Sequence, residues 1–134
     1  MRINVVALLA CLTFPVVAMA DGRVFFDEDW VIDAKGAHPQ SFTLPVQANV
    51  HVTATCVKNC GKGYTVRVVP PADFPTCTGL AQGPCRSRPD FDGFKVGSYD
   101  RTAALPAGTW AVYVQNSENM LERATIHVGV AAAW

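Results

Sequence analysis

The chain has 134 residues, half of them hydrophobic, with eleven basic and eleven acidic side chains and a formal charge of zero. That length supports one small domain. The lack of a basic excess argues against a nucleic-acid partner, because gripping a phosphate backbone requires one.

The N-terminus reads as a secretory signal peptide over residues 1–20. Met1-Arg2 supplies one positive charge, and Ile3 to Ala20 carries none. Small residues at Ala18 and Ala20 place cleavage before Asp21. Thr13 and Pro15 interrupt the apolar run, which is too short and too broken for a membrane-spanning helix. Leu8-Leu9-Ala10-Cys11 also resembles a lipoprotein cleavage box, which would leave the chain lipid-anchored through Cys11. Only a short leader precedes Cys11, and the apolar run continues past it, so the plain signal is the better reading. Losing residues 1–20 removes Arg2 and leaves ten basic against eleven acidic side chains. A periplasmic or secreted location follows from the leader, with residues 21–134 as a single domain.

Arg23 to Asp33 mixes apolar residues with Asp27, Glu28 and Asp29. This predicts one or two short strands with an acidic turn or bulge between them. Lys35 to Pro39 is punctuated by Gly36 and Pro39 and reads as a loop, which makes His38 a solvent-exposed loop histidine. Ser41 to Leu44 is a short strand closed by Pro45. Val46 to Val57 alternates strictly: Val50, Val52, Ala54 and Cys56 share one face, Asn49, His51, Thr53 and Thr55 the other. That is the signature of a half-buried strand. Lys58 to Gly63 is a Gly-rich turn, and Tyr64 to Val69 is the return strand, most simply an antiparallel hairpin with the strand before it.

From Pro70 to about Gly93 the periodicity fails. Five prolines forbid a central strand between Pro70 and Pro89. An irregular stretch of this length in a compact domain needs tying down. Asp90 to Gly97 leads back to order, and Arg101 to Leu105 fits a short strand. Pro106 to Gly108 is a turn. Thr109 to Asn116 alternates again, with Trp110, Val112 and Val114 inward and Ala111, Tyr113 and Gln115 outward. Ser117 to Arg123 is a polar turn. Ala124 to Val130 closes the domain, with Ile126, Val128 and Val130 opposite Thr125, His127 and Gly129. No amphipathic helix is evident. Six to eight short strands with turns between them predict an all-β fold: a small antiparallel β-sandwich, jelly-roll-like or Ig-like.

Cys56, Cys60, Cys77 and Cys85 in a small exported chain read as two disulfides. Local pairing, Cys56–Cys60 and Cys77–Cys85, is the simplest of three options. The crossed pairings would instead staple the Pro-rich excursion to the end of the hairpin. The spacing does not suit a zinc site, because Cys77 and Cys85 are too far apart and no paired histidines follow. A disulfide-stapled sandwich suits a domain with a modest core.

Leu105 to Asn116, with its Ala-Gly turn into an aromatic strand, followed by Ala124 to Val130, resembles the end of the bacterial pre-peptidase C-terminal domain. The resemblance covers about a quarter of the chain and implies a jelly-roll-like sandwich carried by secreted proteins. The disulfides and the Pro-rich excursion depart from that pattern.

Chemistry-bearing motifs are sparse. No G-x-S-x-G occurs, and the mature cysteines are taken up in bridges. Asp90-Phe-Asp-Gly93 shares spacing with part of a calcium loop but lacks its later acidic ligand, and Asp27, Glu28 and Asp29 would have to complete it. No cofactor or metal is called for. Phe25, Phe26 and Trp30 offer a sugar-stacking patch or, more simply, core filling. Ile126 to Trp134 alternates up to a terminal aromatic, as outer-membrane strands do, but the short strands and Pro-rich middle fit no barrel wall. If their strands share one sheet, His51, Thr53, Thr65, Arg67, Tyr113, Gln115 and His127 form one polar surface. Lys58, Lys62, Arg67, Arg86 and Arg88 oppose only Asp73 across the cysteine segment.

These features describe an exported binding module of the bacterial envelope. Its partner is an envelope or secreted protein or a glycan, contacted through that basic segment together with His51, Tyr113 and His127. The alternative is a small hydrolase-like or metal-dependent protein using the His51/His127 face.

Overall fold

A computed structural model describes residues 21–119 and 121–134. The expected signal peptide, including Cys11, lies outside these residues. The described residues form eight strands: β1 (Gly22–Ile32), β2 (Ala37–Leu44), β3 (Ala48–Lys58), β4 (Tyr64–Val69), β5 (Gly93–Val96), β6 (Ser98–Leu105), β7 (Gly108–Gln115) and β8 (Ala124–Ala133). They make two four-stranded antiparallel sheets, ordered β1-β8-β3-β6 and β2-β7-β4-β5. Every connection except β4–β5 passes from one sheet to the other. This is the strand order of an eight-stranded jelly roll. Among the described residues, no helix is long and apolar enough to cross a membrane.

The alternating patterns explain the core. Val50, Val52 and Ala54 of β3 and Ile126, Val128 and Val130 of β8 face inward with Phe26, Trp30 and Ile32 of β1. Phe42 and Leu44 of β2, Tyr64, Val66 and Val68 of β4, and Val112 and Val114 of β7 belong to the same buried cluster. The residues that carry the pre-peptidase resemblance form the turn into β7 and strands β7 and β8.

Four local expectations are corrected. The acidic run Asp27–Asp29 does not break β1, which is one continuous strand with a bulge between Val24 and Phe26. β1 is an edge strand, where a run of charge meets water. Pro39 lies inside β2 rather than in a loop. β2 is also an edge strand, where a missing N–H costs no ladder bond. His38 is therefore a strand residue, and its ring packs at a tilt against Trp30 with centroids 4.5 Å apart. β3 and β4 are not a hairpin, because they belong to opposite sheets. Alternation reports which face of a strand is buried. It is the same whether the next strand lies beside it or across the core.

The crossing from β3 to β4 is built from special backbone. Asn59, Gly61 and Gly63 all take positive φ. A side chain at Gly61 would also collide with Asn119, since a Cβ there would lie 2.0 Å from its Oδ1. Asn119 Nδ2 donates to the Asn59 carbonyl at 2.6 Å, tying this crossing to the one between β7 and β8. Asn116, wholly buried, does similar work. Its Nδ2 approaches the carbonyls of Ile32, Asp33 and Glu122 at 3.1–3.3 Å, joining the β1–β2 and β7–β8 crossings.

The Pro-rich excursion, residues 70–92, is ordered. It contains 3-10 turns at Pro71–Asp73 and Pro89–Phe91 and one helical turn at Phe74–Cys77. It roofs part of the outer face of the β2-β7-β4-β5 sheet, where Phe74 and Cys77 pack on Val69, Ala111 and Tyr113. Both bridges are local: Cys56–Cys60 and Cys77–Cys85.

The core assigns Ile126 a central place, with no exposure at all. Ile126→Ala is expected to cost roughly 2–5 kcal/mol and Ile126→Val about 0.5–1.5 kcal/mol. Urea unfolding of both variants checks this; equal midpoints for the two would contradict the packing described.

Candidate functional site

The two sheets present very different outer faces. On the β2-β7-β4-β5 sheet, the excursion covers the residues expected to form a polar surface. Tyr113 is fully buried there and is not a surface contact, because the ring of Phe74 meets it edge-on at 5.6 Å. Burial pushes its hydroxyl pKa up. Thr65 is also buried. The expected single surface running from His51 to Gln115 therefore does not exist. His51, Thr53 and His127 lie on one sheet, and Thr65, Arg67, Tyr113 and Gln115 on the other.

The basic residues of the cysteine segment are likewise dispersed. Arg86 makes a two-pronged bond to Asp73, Nε to Oδ2 at 2.8 Å and Nη2 to Oδ1 at 2.7 Å. The Arg86 amide adds a third bond to the same carboxylate at 3.0 Å. These bonds hold the Asp73 carboxyl below the usual carboxylate range. Arg67 lies over the Phe94 ring at 4.5 Å, and Arg88 over Trp110 at 5.4 Å. Lys58 and Lys62 are exposed at the far end of β3 and in the crossing that follows. Three of the five cations thus serve contacts within the fold.

The outer face of the β1-β8-β3-β6 sheet carries no such roof. Register places its side chains in rows across the four strands. Val24, Ala131, His51 and Thr102 form one row; Asp27, Gly129, Thr53 and Asp100 the next; Asp29, His127, Thr55 and Ser98 the third. The central strand β8 contributes only Gly129 and Ala131 to the first two rows. Small residues between larger neighbours leave a shallow cavity of about 170 Å³ lined by Val24, Asp27, His51, Thr53, Gly129 and Ala131. Gly129 is required for its shape: a Cβ there would lie 2.7 Å from Thr53 Oγ1.

Each histidine of this face is engaged by carboxylate. His127 Nδ1 meets Asp29 Oδ1 at 2.6 Å, and Nε2 meets Asp27 Oδ1. A neutral imidazole has one donor, so it would turn a lone pair toward one of these oxygens. The imidazolium donates to both. Its pKa is accordingly raised, first by the bond to Asp29 and then by that to Asp27. His51 Nε2 donates to Asp100 Oδ1 at 2.7 Å. His51 and His127 share the face but do not touch. Their register offset is four residues, roughly 13 Å along the strands.

The sequence named both histidines but not their partners. Asp27 and Asp29 read as part of an acidic turn or bulge, or as oxygens to complete a calcium loop, not as partners of His127. Asp100 carried no signal, since its contact with His51 spans 49 positions. Phe26 and Trp30 are core residues, and Phe25 packs partly against the core beside Phe42 at 5.3 Å, so the three do not form an exposed stacking patch. Asp92 accepts from Ser87 at 3.1 Å. Among the described residues, no three His, Cys, Asp or Glu side chains converge to hold a metal ion. Asp27 and Asp29 lie at opposite nitrogens of the His127 ring, which keeps them apart. No protein-family model and no curated protein matches this chain.

The His127 clamp couples β1 to β8 in a pH-dependent way. A histidine whose folded pKa is raised contributes stability that is complete below its unfolded pKa, near 6.5, and is lost as pH rises through the folded value. The β1 edge is therefore expected to loosen as pH rises past the ordinary histidine range. NMR titration of the His127 ring should give a midpoint above the ordinary value, and Asp29→Asn should lower it. A midpoint unchanged by Asp29→Asn and Asp27→Asn alike would refute the clamp.

Proposed function

We propose that the protein is an exported, non-catalytic binding module that takes a basic segment of another exported protein on the open face of the β1-β8-β3-β6 sheet. The observation that carries this reading is the charge of that uncovered face. Its three central rows hold Asp27, Asp29 and Asp100, and no Lys or Arg. Lys58, opposite Thr125, borders it only at one end. A ligand with protonated amines meets carboxylates across a floor of Gly129, Ala131 and Thr53. Export is supported by the leader pattern of residues 1–20 and by the two disulfides, which persist in oxidising compartments.

A glycan fits this face less well, because none of the twelve residues in those rows is a Phe, Tyr or Trp on which a sugar could stack. Hydrolysis fits less well too. Both nitrogens of His127 already face carboxylates, so neither can take a proton from a nucleophile. Among the described residues, no serine, threonine or cysteine is bonded to the His51–Asp100 pair.

The test is an NMR titration of the mature protein with a Lys-rich decapeptide, a Glu-rich decapeptide and a neutral oligosaccharide. The Lys-rich peptide is expected to shift the amides of Thr53, Gly129 and Ala131, with an affinity that falls as salt rises. Asp27→Lys combined with Asp100→Lys is expected to weaken that binding at least tenfold. Shifts produced by the oligosaccharide alone would transfer the face to a glycan. No shift with any of the three would end the reading.

A further inference from the structure

The two disulfides stand in opposite electrostatic surroundings. Cys60 is buried, with 8% of its surface exposed. Its Sγ lies 3.6 Å from the Lys58 carbonyl oxygen and 3.7 Å from that of Thr125. A disulfide sulfur has no hydrogen to donate, so both contacts set negative oxygen against it. A thiolate forming at Cys60 would be desolvated and repelled, which makes it a poor leaving group.

Cys77–Cys85 is arranged the other way. Cys85 is exposed and Cys77 half-buried, so a reagent can reach the bond, as it can reach the exposed Cys56 of the other bridge; the two differ in what surrounds the leaving sulfur. Arg67 Nη1 donates to Cys85 Sγ at 3.4 Å. Phe94 supports that guanidinium from the side. Among the described residues, Arg67 Nε is buried without a hydrogen-bond partner, as is the hydroxyl of its cross-strand neighbour Tyr113. Asp92 Oδ1 is likewise a buried acceptor without a partner. Arg86, next to Cys85 in sequence, spends its charge on Asp73 and adds little. Arg67 is therefore the cation that an anionic Cys85 would meet.

We propose that Cys77–Cys85 is an exchangeable disulfide whose substrate is an external thiol, with Cys85 as the leaving sulfur, while Cys56–Cys60 is a static brace. An external thiolate attacks Cys77 Sγ, forming a mixed disulfide. The electron pair of the broken S–S bond leaves on Cys85, and Arg67 receives that thiolate. A second external thiolate attacks the external sulfur of the mixed disulfide and releases Cys77. Two external thiols become one external disulfide, and the protein bond is reduced by two electrons. One of the two protons ends on Cys77 and the other stays in solvent. The flanking contacts survive the opening. Thr76 Oγ1 donates to the Pro84 carbonyl at 2.7 Å, and Asp73 holds Arg86, so the cysteines stay opposed and the same steps run backward with an external disulfide.

The experiment uses the oxidised mature protein with excess reduced glutathione at neutral pH, quenched in acid and mapped by peptide mass. Cys77–Cys85 is expected to open at least tenfold faster than Cys56–Cys60 in the folded protein. In the reduced protein, iodoacetamide should modify Cys85 with a pH midpoint below the ordinary thiol value of about 8.5, and Cys77 with a higher one. Arg67→Gln should move the Cys85 midpoint back toward that value and leave the opening rate of Cys56–Cys60 unchanged. The proposal fails if the two bridges open at the same rate, or if Cys85 in the unsubstituted protein titrates at or above an ordinary thiol. Both of those readouts use the unsubstituted protein, so they decide the proposal even where Arg67→Gln does not fold.

Discussion

Val50, Val52 and Ala54 of β3 and Ile126, Val128 and Val130 of β8 are sealed from water only while β4 and β7 lie against them. This shared apolar layer is where the strands of one sheet meet those of the other, and the crossings are arranged to preserve it. A jelly roll sends the chain from sheet to sheet at nearly every turn, so each crossing must leave the sandwich at an end and return. The buried amides of Asn116 and Asn119 stitch those ends together, bonding carbonyls that would otherwise turn inward unpaired. A sandwich of this size has one interior. Its two outer faces must either be roofed or remain wet.

The protein treats these faces differently because their side chains differ. β4 sends Tyr64, Val66 and Val68 into the core, while Val69 points the other way and forms an apolar patch with Ala111 and Tyr113 of β7. Leaving that patch in water would forfeit its burial, and the excursion covers it. The roof is held by the Cys77–Cys85 bridge, by Asp73 with Arg86, and by Arg67 beneath it. The opposite sheet turns Asp, His, Thr and small residues outward. It needs no roof, and its charges pair with one another on the surface.

This division redistributes function across the molecule. The cysteine segment is basic in sequence, yet its arginines are committed to Asp73, Phe94, Trp110 and Cys85. Lys58 and Lys62 stay exposed beside the first bridge, while at the second bridge Arg67 sets a cation against a sulfur. The charge left unroofed by the fold is acidic and lies on the other sheet, around a hollow made by the small residues of β8.

The alternating residues of Ala48–Lys58, Tyr64–Val69, Gly108–Gln115 and Ala124–Ala133 determined an all-β sandwich, its inward faces and its approximate turns, because period-two burial is a local property of a strand. The cysteine count and prolines determined a stapled irregular excursion for similarly local reasons. Strand order was decided only by the tertiary structure. Identical alternation serves a hairpin or a sheet-to-sheet crossing, and so β3 and β4 read as neighbours although the core lies between them. The same ambiguity hid the site. Asp100 reaches His51, and Asp27 and Asp29 reach His127, through strand pairings that span 49 to 100 positions of chain. Tyr113 alternates as an outward residue and is one, yet it is buried, because a segment distant in sequence folds over it. Local pattern tells a side chain which way to point; only packing decides what it meets there.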